Sequence, residues 1–537
     1  MSVKTHVSLK SSLHAMPIMV ARTLTLALLV LFQTASGFAS VYYVATNGVD
    51  TNPGTSNSPF ATITRAQTAA TAGDTVYLRG GNYFLNNTHL TATNSLWAIV
   101  NNVSKSGISY LAYPGERPVF DFSNVKPPGW RVTAFLVTAS DCVFKGFDVV
   151  GVQVTIKSGE ASNTQSECFR VAGGNRNRFE QLVMRDGMGI GWYLTSGQSN
   201  LVLNCDAYNN RGLDSLSMGN IDGFGIHGTS TSHTGNVLRG CRAWFNSDDG
   251  YDLINCKAPA VIENCWAFYN GYFTNFTSTS GDANGFKSGG YGVSGASYPT
   301  PVPRHVTRFC LAVRNRASGF YANHHTGGLD WFNNTAYRNG ANYNMLCNLD
   351  AKDRTNDVPG FDHVMKNNLG YVSNTQVSNL NTNACDVSFN YFTLPLAVAT
   401  NDFMTLDESL LTAPRRPNGD LPYIAFGQLV SGSNLVNAGT NSGFPYAGTA
   451  PDLGAFEYGI EPPPTLNLSM TGNSLIFTGS GGPAGGTNYL VGSTSFTLPV
   501  SQWAMVATNR FNHTGGIAVT NLLPPGASEQ FYRLKLP

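Results

Sequence analysis

The feature of this sequence that most constrains its fold is a short phrase that recurs through the middle of the chain. The phrase consists of an acidic or small residue, a glycine, an aromatic residue and a fourth residue that varies. Its copies are Asp222-Gly223-Phe224-Gly225, Asp249-Gly250-Tyr251-Asp252, Asn284-Gly285-Phe286-Lys287 and Ser318-Gly319-Phe320-Tyr321. Because the first three positions keep their character while the fourth changes, the phrase indicates repeated structural units with different chemistry at equivalent positions.

A second phrase lies upstream of each copy and gives the period. A cysteine or asparagine precedes an alanine by two residues, at Cys205, Cys241, Cys265, Cys310 and Asn334. Cys265 follows Cys241 by 24 residues, and Asn334 follows Cys310 by the same interval. An asparagine closes the phrase two or three residues after each alanine, at Asn209, Asn246, Asn270, Asn315 and Asn339. Short strands with such a period and Gly or Asn turns predict a parallel β-solenoid, in which longer steps contain inserted loops.

Stacking of the coils turns this alignment into a geometric prediction. Stacked strands lie ~4.8 Å apart, so equivalent residues form columns. We expect Asp222, Asp249 and Asn284 in one column, and Asp252 and Lys287 in the next. The aromatic third positions should face inward, and parallel crossovers favour a right-handed path.

The chain contains nine cysteines. Cys205, Cys241, Cys265 and Cys310 share one repeat position, which favours a buried ladder of free thiols that pack as small apolar groups. Disulfides remain the alternative, since an exported chain meets oxidising conditions.

The predicted domain organisation has four parts. Residues 1–39 resemble a secretory signal, because basic residues precede an apolar run too short for a membrane span of about 20 residues. Residues 40–460 form the parallel β-helix, with a helix near Thr62 to Ala72 as its N-terminal cap and strands continuing to Glu457. Residues 461–464 are a proline-rich linker. Residues 465–537 form a small module resembling a β-sandwich.

Composition narrows the class of protein. Charged residues make up 12% of the chain, about half of the ~25% usual in globular proteins. The net charge of +1 gives no basic face for nucleic acid. This composition fits an exported carbohydrate-active protein. We also expect a secreted monomer that is free of the membrane once the signal is removed.

Four aspartates converge if the predicted register is right: Asp222, Asp248, Asp249 and Asp252. They offer hard oxygen ligands, of which Ca²⁺ accepts six to eight at ~2.3 to 2.6 Å. Zinc suits them less, because no Cys or His with zinc-site spacing accompanies them. The alternative is that these side chains only form turns at the corners of the coils.

Lys287 occupies the position equivalent to Asp252 on the next coil of the predicted solenoid. A free lysine has a pKa of ~10.4, and a neighbouring metal ion disfavours its charged form, which makes it a better base. A base beside Ca²⁺ suits removal of the C5 proton of a uronic acid, with loss of the C4 oxygen by β-elimination. The alternative is an ion pair of Lys287 with Asp252, which is compatible with this role.

These residues resemble polysaccharide lyase family 9, the secreted pectate lyases. The resemblance covers Asp222-Gly223-Phe224, Asn246-Ser247-Asp248-Asp249-Gly250-Tyr251-Asp252, Glu263-Asn264-Cys265-Trp266, Asn284-Gly285-Phe286-Lys287, Gly319-Phe320-Tyr321-Ala322-Asn323, Asn333-Asn334-Thr335-Ala336-Tyr337 and, more loosely, Asp452-Leu453-Gly454-Ala455-Phe456-Glu457. It implies an all-β, right-handed parallel β-helix of about ten coils. It further implies Ca²⁺ bound by Asp222, Asp248, Asp249 and Asp252, with Lys287 as the catalytic base. The C-terminal module lies outside it.

The sequence departs from the family pattern near the expected substrate groove. His227 stands where a lysine is expected, and Tyr321-Ala322 and His324-His325 replace more polar residues. The family also contains rhamnogalacturonan lyases, so the predicted substrate is an acidic polymer, either homogalacturonan or rhamnogalacturonan. The candidate substrate-binding residues are His227, Asn284, Asn323, His324 and Arg314.

Two other functions remain open from the residues alone. A hydrolase of the polygalacturonase type would use Asp248 and Asp249 as paired carboxylates, but it gives Lys287 no part. A non-catalytic glycan-binding solenoid would use the aspartates for a structural Ca²⁺, and it too has no need of the amine. Replacement of Lys287 distinguishes the lyase from both.

Overall fold

Short parallel strands in the computed structural model wind into three long sheets. The structure describes residues 39–94, 96–156, 165–212, 220–290, 299–350, 353–459, 465–472, 474–480, 487–494, 500–512, 516–522 and 530–535. The predicted signal, apart from its last residue, and the predicted linker lie outside these residues.

Sheet 1 has twelve strands, each aligned in parallel with its neighbours. They are Val41–Val44, Thr75–Leu78, Ser109–Ala112, Val143–Lys145, Arg178–Glu180, Leu201–Leu203, Asn236–Arg239, Ala260–Glu263, Val306–Arg308, Asp330–Phe332, Val364–Lys366 and Asp386–Ser388. Sheet 2 has ten parallel strands. They are Gly81–Asn86, Pro118–Asn124, Asp148–Val150, Val183–Arg185, Asp206–Tyr208, Arg242–Trp244, Trp266–Phe268, Leu311–Val313, Thr335–Tyr337 and Leu369–Tyr371.

Sheet 3 has eleven strands and carries the candidate site. Its strands are Ala92–Thr93, Trp97–Val103, Arg131–Val137, Ser166–Ala172, Gly189–Ser196, Phe224–Ile226, Tyr251–Asp252, Phe286–Lys287, Ser318–Tyr321, Ala341–Asn344 and Thr375–Ser378. All pairings are parallel except that of the first two strands. An antiparallel hairpin, Cys347–Asp350 with Asp353–Val358, projects after the tenth strand.

A short helix, Ile63–Ala69, covers the first coil as predicted. It begins at Thr62, whose hydroxyl accepts a hydrogen bond from the Arg65 N–H, as a helix N-cap does. Ile63 and Ala66 pack into the core that also contains Phe60 of the preceding turn. The 3₁₀ turns are Asn87–His89, Thr382–Ala384, Thr400–Asp402, Glu408–Thr412 and Val500–Gln502.

The interior of the helix is a set of stacked ladders. Phe224, Tyr251, Phe286 and Phe320 stack face to face on successive rungs, with ring centroids 4.7 to 5.2 Å apart. The predicted cysteine ladder is buried and its thiols are free. Both ladders fill the space between the sheets with one repeated side-chain type, which explains the recurring aromatic and cysteine positions.

A ladder of buried asparagines lines the corner between sheets 2 and 3. The side-chain amide of each donates to the side-chain oxygen of the next, through Asn210, Asn246, Asn270, Asn315 and Asn339. The sequence pattern assigned Asn209 to the first of these positions, and this assignment is wrong by one residue, because Asn210 is the member of the ladder. Asn209 has a left-handed backbone, and its amide donates instead to Asp186 on the surface.

The strands end earlier than the predicted limit at Glu457. After Asp386–Ser388, residues 389–459 form 3₁₀ turns and loops instead of further coils. Part of this segment packs on sheet 2, where Leu411, Ile424 and Phe426 cover Trp244 and Trp266. The segment therefore shields apolar side chains on the outer face of sheet 2.

The C-terminal residues form two three-stranded antiparallel sheets. One contains Thr465–Thr471, Ser474–Ser480 and Ile517–Leu522, and the other contains Thr487–Ser493, Ala504–Arg510 and Phe531–Lys535. Phe477 of the first sheet and Leu490 of the second share one small core, as expected of two sheets packed face to face. Across the part of the chain that the structure describes, no helix has the length and apolar character needed to span a membrane.

Candidate active site

The repeated phrase places its chemistry on the outer face of sheet 3. Tyr251 aligns with Phe286, and Asp252 aligns with Lys287 on the next rung. The predicted register is therefore confirmed. Because successive side chains of a strand point to opposite faces, the inward aromatic positions leave Asp252 and Lys287 facing outward.

The phrase requires a glycine because the backbone of the next coil passes very close to this position. A Cβ atom at Gly223, Gly250 or Gly285 would lie 2.6 to 2.7 Å from a backbone oxygen of the following rung. Any larger residue would push the coils apart at the corner where the acidic residues sit.

Three aspartates meet at this corner. Asp222, Asp248 and Asp249 each offer a carboxylate oxygen, and these atoms lie within 4.8 Å of one another. All three side chains are buried. Asp248 is held by backbone N–H groups of Asn220 at 2.6 Å and Asp282 at 2.5 Å. The prediction that these three aspartates lie close together is confirmed. The fourth predicted aspartate, Asp252, lies beside them on the strand.

Burial and mutual repulsion disfavour ionisation of this cluster. Burial, followed by the charges of the neighbouring aspartates, raises the pKa of Asp222 well above its ordinary value. Burial also raises the pKa of Asp248 and of Asp249, although the Lys287 ammonium opposes the rise. Several carboxylates thus share one buried corner with a single lysine.

This arrangement fits a bound hard cation. Asp249 Oδ2 accepts no well-aligned hydrogen bond from the described residues, although it faces the Lys287 ammonium at 3.0 Å. The donors are all carboxylate oxygens, and Cys and His are absent from the described cluster. Oxygen donors and uncompensated negative charge are what Ca²⁺ requires, with further ligands completing its six to eight.

Lys287 lies at the centre of the acidic groups. Its ammonium is 3.0 Å from Asp249, 3.3 Å from Asp252 and 3.5 Å from Asp282. Burial acts to lower the pKa of Lys287, but the surrounding aspartates outweigh it and raise the pKa well above its ordinary value. Without a bound cation the amine therefore holds its proton firmly.

Asp252 connects this centre to a histidine and a tyrosine. Burial acts to raise the pKa of Asp252, but Lys287 and His227 bring it down to about 2. His227 Nε2 is 3.7 Å from Asp252 Oδ2, and its Nδ1 is 3.2 Å from the Tyr193 hydroxyl. His227, a predicted substrate-binding residue, thus lies at the edge of the acidic centre with 15% of its side chain exposed.

On the other side of Lys287, the next rung carries Tyr321. Its hydroxyl is 3.0 Å from Nε2 of His324, whose Nδ1 lies 2.5 Å from Asp357 of the projecting hairpin. Burial raises the pKa of Tyr321 to about 12, so its hydroxyl stays protonated at neutral pH. The neighbouring Asn323 is buried, and its amide donates to the Gly289 carbonyl at 2.7 Å.

The other two predicted substrate-binding residues, Asn284 and Arg314, also have protein partners. The Asn284 amide donates to Asp249 Oδ1 at 2.9 Å, and its oxygen accepts from the Ser318 N–H at 3.1 Å. Arg314 follows a strand of sheet 2, where it pairs with Glu408 at 3.3 Å and lies over the Phe276 ring. Asn284 therefore braces the acidic corner, while Arg314 is not among the residues that contact Lys287 or its carboxylate partners.

Two contributing residues were missed from the sequence. Asp282 lies in the insertion between the strands ending at Phe268 and beginning at Phe286, where the period gives no register. Tyr193 follows Gly191 and Trp192, and Trp192 aligns with Phe224 of the phrase, but Ile190 stands where the phrase has an acidic or small residue. The signal for Asp282 was its position two residues before Asn284, inside a loop that must return to the corner.

The family model described as the Pel9A-like right-handed β-helix region matches residues 42–368. Pectate lyase L of Dickeya chrysanthemi is 36% identical over 430 residues, covering 78% of this chain and 90% of that protein. Pectate lyase L of Paenibacillus polymyxa is 30% identical over 434 residues, covering 75% and 84%.

Two solved structures share the fold. A rhamnogalacturonan lyase matches with a TM-score of 0.70 and 45% identity, covering 73% of this chain and 97% of that one. The structure of pectate lyase Pel9A matches with a TM-score of 0.62 and 32% identity, covering 78% and 96%. The right-handed path and the resemblance found in the sequence are thereby confirmed.

Proposed function

We propose, because this chain belongs to the Pel9A-like right-handed β-helix family, that it is a polysaccharide lyase cleaving a galacturonate-containing pectic polymer with Ca²⁺. The relatives named above are pectate lyases and a rhamnogalacturonan lyase. The observation that carries the mechanism is the contact of the Lys287 ammonium with Asp249 and Asp252, beside the three-aspartate corner. No other lysine is buried among the described residues.

In this proposal Asp222, Asp248 and Asp249 hold the cation, with Asp252 next to them. Bound Ca²⁺ would neutralise these carboxylates and the C6 carboxylate of the sugar, on which charge develops as C5 loses its proton. The same compensation would offset the aspartate charges that raise the pKa of Lys287, so that the amine could act in its neutral form.

Lys287 Nζ then accepts the C5 proton with its lone pair. The electrons of the C5–H bond form the C4–C5 double bond, while the C4–O bond breaks and its electron pair leaves with the oxygen. A proton from solvent completes the new hydroxyl, and the other fragment ends in an unsaturated sugar. Asp252, 3.3 Å from the Lys287 amine, stabilises the ammonium formed on Lys287 until it returns its proton to solvent.

The remaining candidates are assigned by their contacts. His227 and His324 line the groove on either side of Lys287 and contact the polymer. Asn284 and Asn323 shape the groove through the hydrogen bonds described above. Arg314 is not assigned a substrate contact, because it pairs with Glu408 and lies over the Phe276 ring.

The hydrolase alternative is less well supported. Asp248 and Asp249 share one buried corner and are both held by backbone N–H groups. A glycosidase pair instead flanks the scissile bond with carboxyl groups about 5 Å or more apart. Their shared corner suits joint cation binding, and the lyase gives Lys287 a role.

The test is the ultraviolet absorbance of unsaturated products from polygalacturonate and from rhamnogalacturonan, with added Ca²⁺ and then with chelator. A Ca²⁺-dependent rise is expected on at least one polymer and identifies the backbone that is cleaved. New reducing ends without the absorbance would replace the lyase by a hydrolase.

We also propose that the protein is secreted, with residues 1–39 as its signal. The support is the basic and apolar pattern of those residues. N-terminal sequencing of exported protein should begin near Ser40, and an intact N-terminus would contradict the proposal.

A further inference from the structure

A second group of charged side chains lies on the same outer face of sheet 3, in the coils before the acidic centre. We call it the distal basic site and define it as Trp97, Arg131, Arg170 and Tyr193. The Arg131 guanidinium lies 3.9 Å from the centre of the Trp97 ring. The Arg170 guanidinium lies 4.7 Å from that ring and 5.6 Å from the ring of Tyr193.

Both guanidinium groups lie close to aromatic rings. Such contacts are favourable because a cation is attracted to the negative face of a ring. Arg131 is buried, and Arg170 keeps 20% of its side chain exposed. Arg170 is therefore the member that an incoming ligand can reach, with Arg131 placed beneath it.

One carboxylate balances the two arginines. Glu167 Oε1 accepts a hydrogen bond from Arg170 at 2.8 Å, and the Thr133 hydroxyl donates to Glu167 Oε2 at 2.7 Å. Burial raises the pKa of Glu167, with the arginines opposing the rise. Arg131 Nε is buried and has no hydrogen-bond partner among the described residues. The distal basic site thus holds more positive charge than its protein partners compensate.

The distal basic site lies on the same row of outer-face positions as the acidic centre. Arg170 aligns with Tyr193, Tyr193 aligns with Gly225, and Gly225 aligns with Asp252 on successive rungs. Three rungs correspond to about 14 Å along the sheet. The Tyr193 hydroxyl contacts His227, which faces Asp252, so one row of side chains joins the two sites. This separation exceeds the reach of the sugar being cleaved but not that of its polymer.

We propose that the distal basic site is a subsite for the carboxylate of a uronate residue several sugars from the cleaved bond. The proposal rests on the proposed function, because it takes its ligand from the same acidic polymer. A guanidinium group presents paired N–H donors that match a carboxylate. The site therefore favours long acidic chains over short ones and fixes their position along the groove.

Chain length provides the test. Arg170→Ala should raise KM at least about tenfold on polygalacturonate, or on rhamnogalacturonan if that is the polymer cleaved, with little change in kcat. It should leave kcat/KM unchanged on the shortest oligosaccharide of the same polymer that the wild type cleaves. Equal losses on both substrates, or no loss on either, would overturn the proposal.

Two controls separate binding from folding. Arg176→Ala removes an exposed arginine of the same coil that pairs with Asp141 away from the groove, and it should behave as wild type. Arg170→Ala in a Glu167→Gln background avoids leaving a buried carboxylate without its arginine, and it should show the same chain-length pattern. Loss of that pattern in the double variant would overturn the proposal.

Binding distinguishes a failure of this proposal from a failure of the proposed function. Affinity electrophoresis in gels containing each of the two polymers measures retardation without turnover. If the wild type produced no unsaturated product, the lyase proposal would fail, while retardation that Arg170→Ala weakens on either polymer would still support the subsite. Equal retardation of the wild type and Arg170→Ala, or none for either, would overturn the subsite.

Discussion

The inner and outer faces of sheet 3 use the same rungs for opposite purposes. The inner column, Phe224, Tyr251, Phe286 and Phe320, repeats one chemistry and is fully buried. The outer column, Gly225, Asp252, Lys287 and Tyr321, has a different chemistry on every rung. Repetition in this molecule therefore marks packing between coils, and departure from repetition marks the candidate site.

The largest expected effect comes from the outer column. Lys287→Ala should reduce kcat by about 10² to 10⁴, the usual contribution of a general base. Loss of the amine leaves the inner ladder intact, so the Ca²⁺-bound protein should keep its circular dichroism spectrum. The absorbance assay measures the rate, and a variant with wild-type kcat would remove Lys287 from the mechanism.

The matching change in the inner column should affect stability rather than chemistry. Phe286→Ala opens a cavity between Tyr251 and Phe320 and should cost about 3 to 5 kcal/mol of unfolding free energy. Phe286→Leu serves as the control and should cost less, because it leaves a smaller cavity. Denaturant unfolding measures both, with kcat determined well below the transition. A stable Phe286→Ala protein with abolished kcat would break the distinction between the two faces.

Asp222→Asn should have effects of opposite sign with and without Ca²⁺. Because the pKa of Asp222 is raised in the folded protein, ionisation of its carboxyl group opposes folding. This loss of stability is absent below the pKa of the unfolded chain, grows as the pH rises above that value and is complete above the pKa of the folded protein. In chelator at neutral pH, Asp222→Asn should therefore raise the melting temperature by roughly a few degrees.

With Ca²⁺ present, the wild type should gain stability that Asp222→Asn lacks, because the variant has lost a charged ligand. Thermal unfolding at matched pH, with and without chelator, measures both differences. If Ca²⁺ raised the melting temperatures of the wild type and Asp222→Asn equally, the cation would bind elsewhere.

The smallest expected effect tests the glycine in the outer column. A Cβ atom at Gly225 would lie 2.9 Å from the Tyr193 ring, so Gly225→Ala should displace that ring from His227. We expect a severalfold loss of kcat/KM and a melting temperature within about two degrees of wild type. Tyr193→Phe, which removes only the hydroxyl contact with His227, is the matched variant. Kinetics of Gly225→Ala identical to wild type would show that this row of side chains does not support catalysis.

The sequence predicted those features that repetition controls. The glycine and aromatic positions gave the register of Asp252 with Lys287, because a slip by one residue would expose the aromatic ladder. The same pattern located Asp222, Asp248 and Asp249. The position of Asn209 was wrong because the spacing after alanine was read as variable, whereas the ladder requires the third residue each time.

Residues outside the repeat were not predictable in this way. Asp282 reaches Lys287 from an inserted loop, and a loop of arbitrary length has no register. Arg170 and Trp97 lie on coils without the phrase, so the spacing gave no reason to bring them together. Part of the segment 389–459 packs its apolar side chains on sheet 2 instead of adding coils.

The most direct test of the central claim follows the C5 proton itself. An oligosaccharide of the cleaved polymer, deuterated at C5 of its galacturonate residues, is incubated with the wild-type protein and Ca²⁺, and the products are examined by mass spectrometry. The account predicts an unsaturated fragment that has lost one deuterium, with a primary isotope effect on the rate wherever proton removal limits it. Products that retain all deuterium and have gained the elements of water would contradict β-elimination and the role of Lys287.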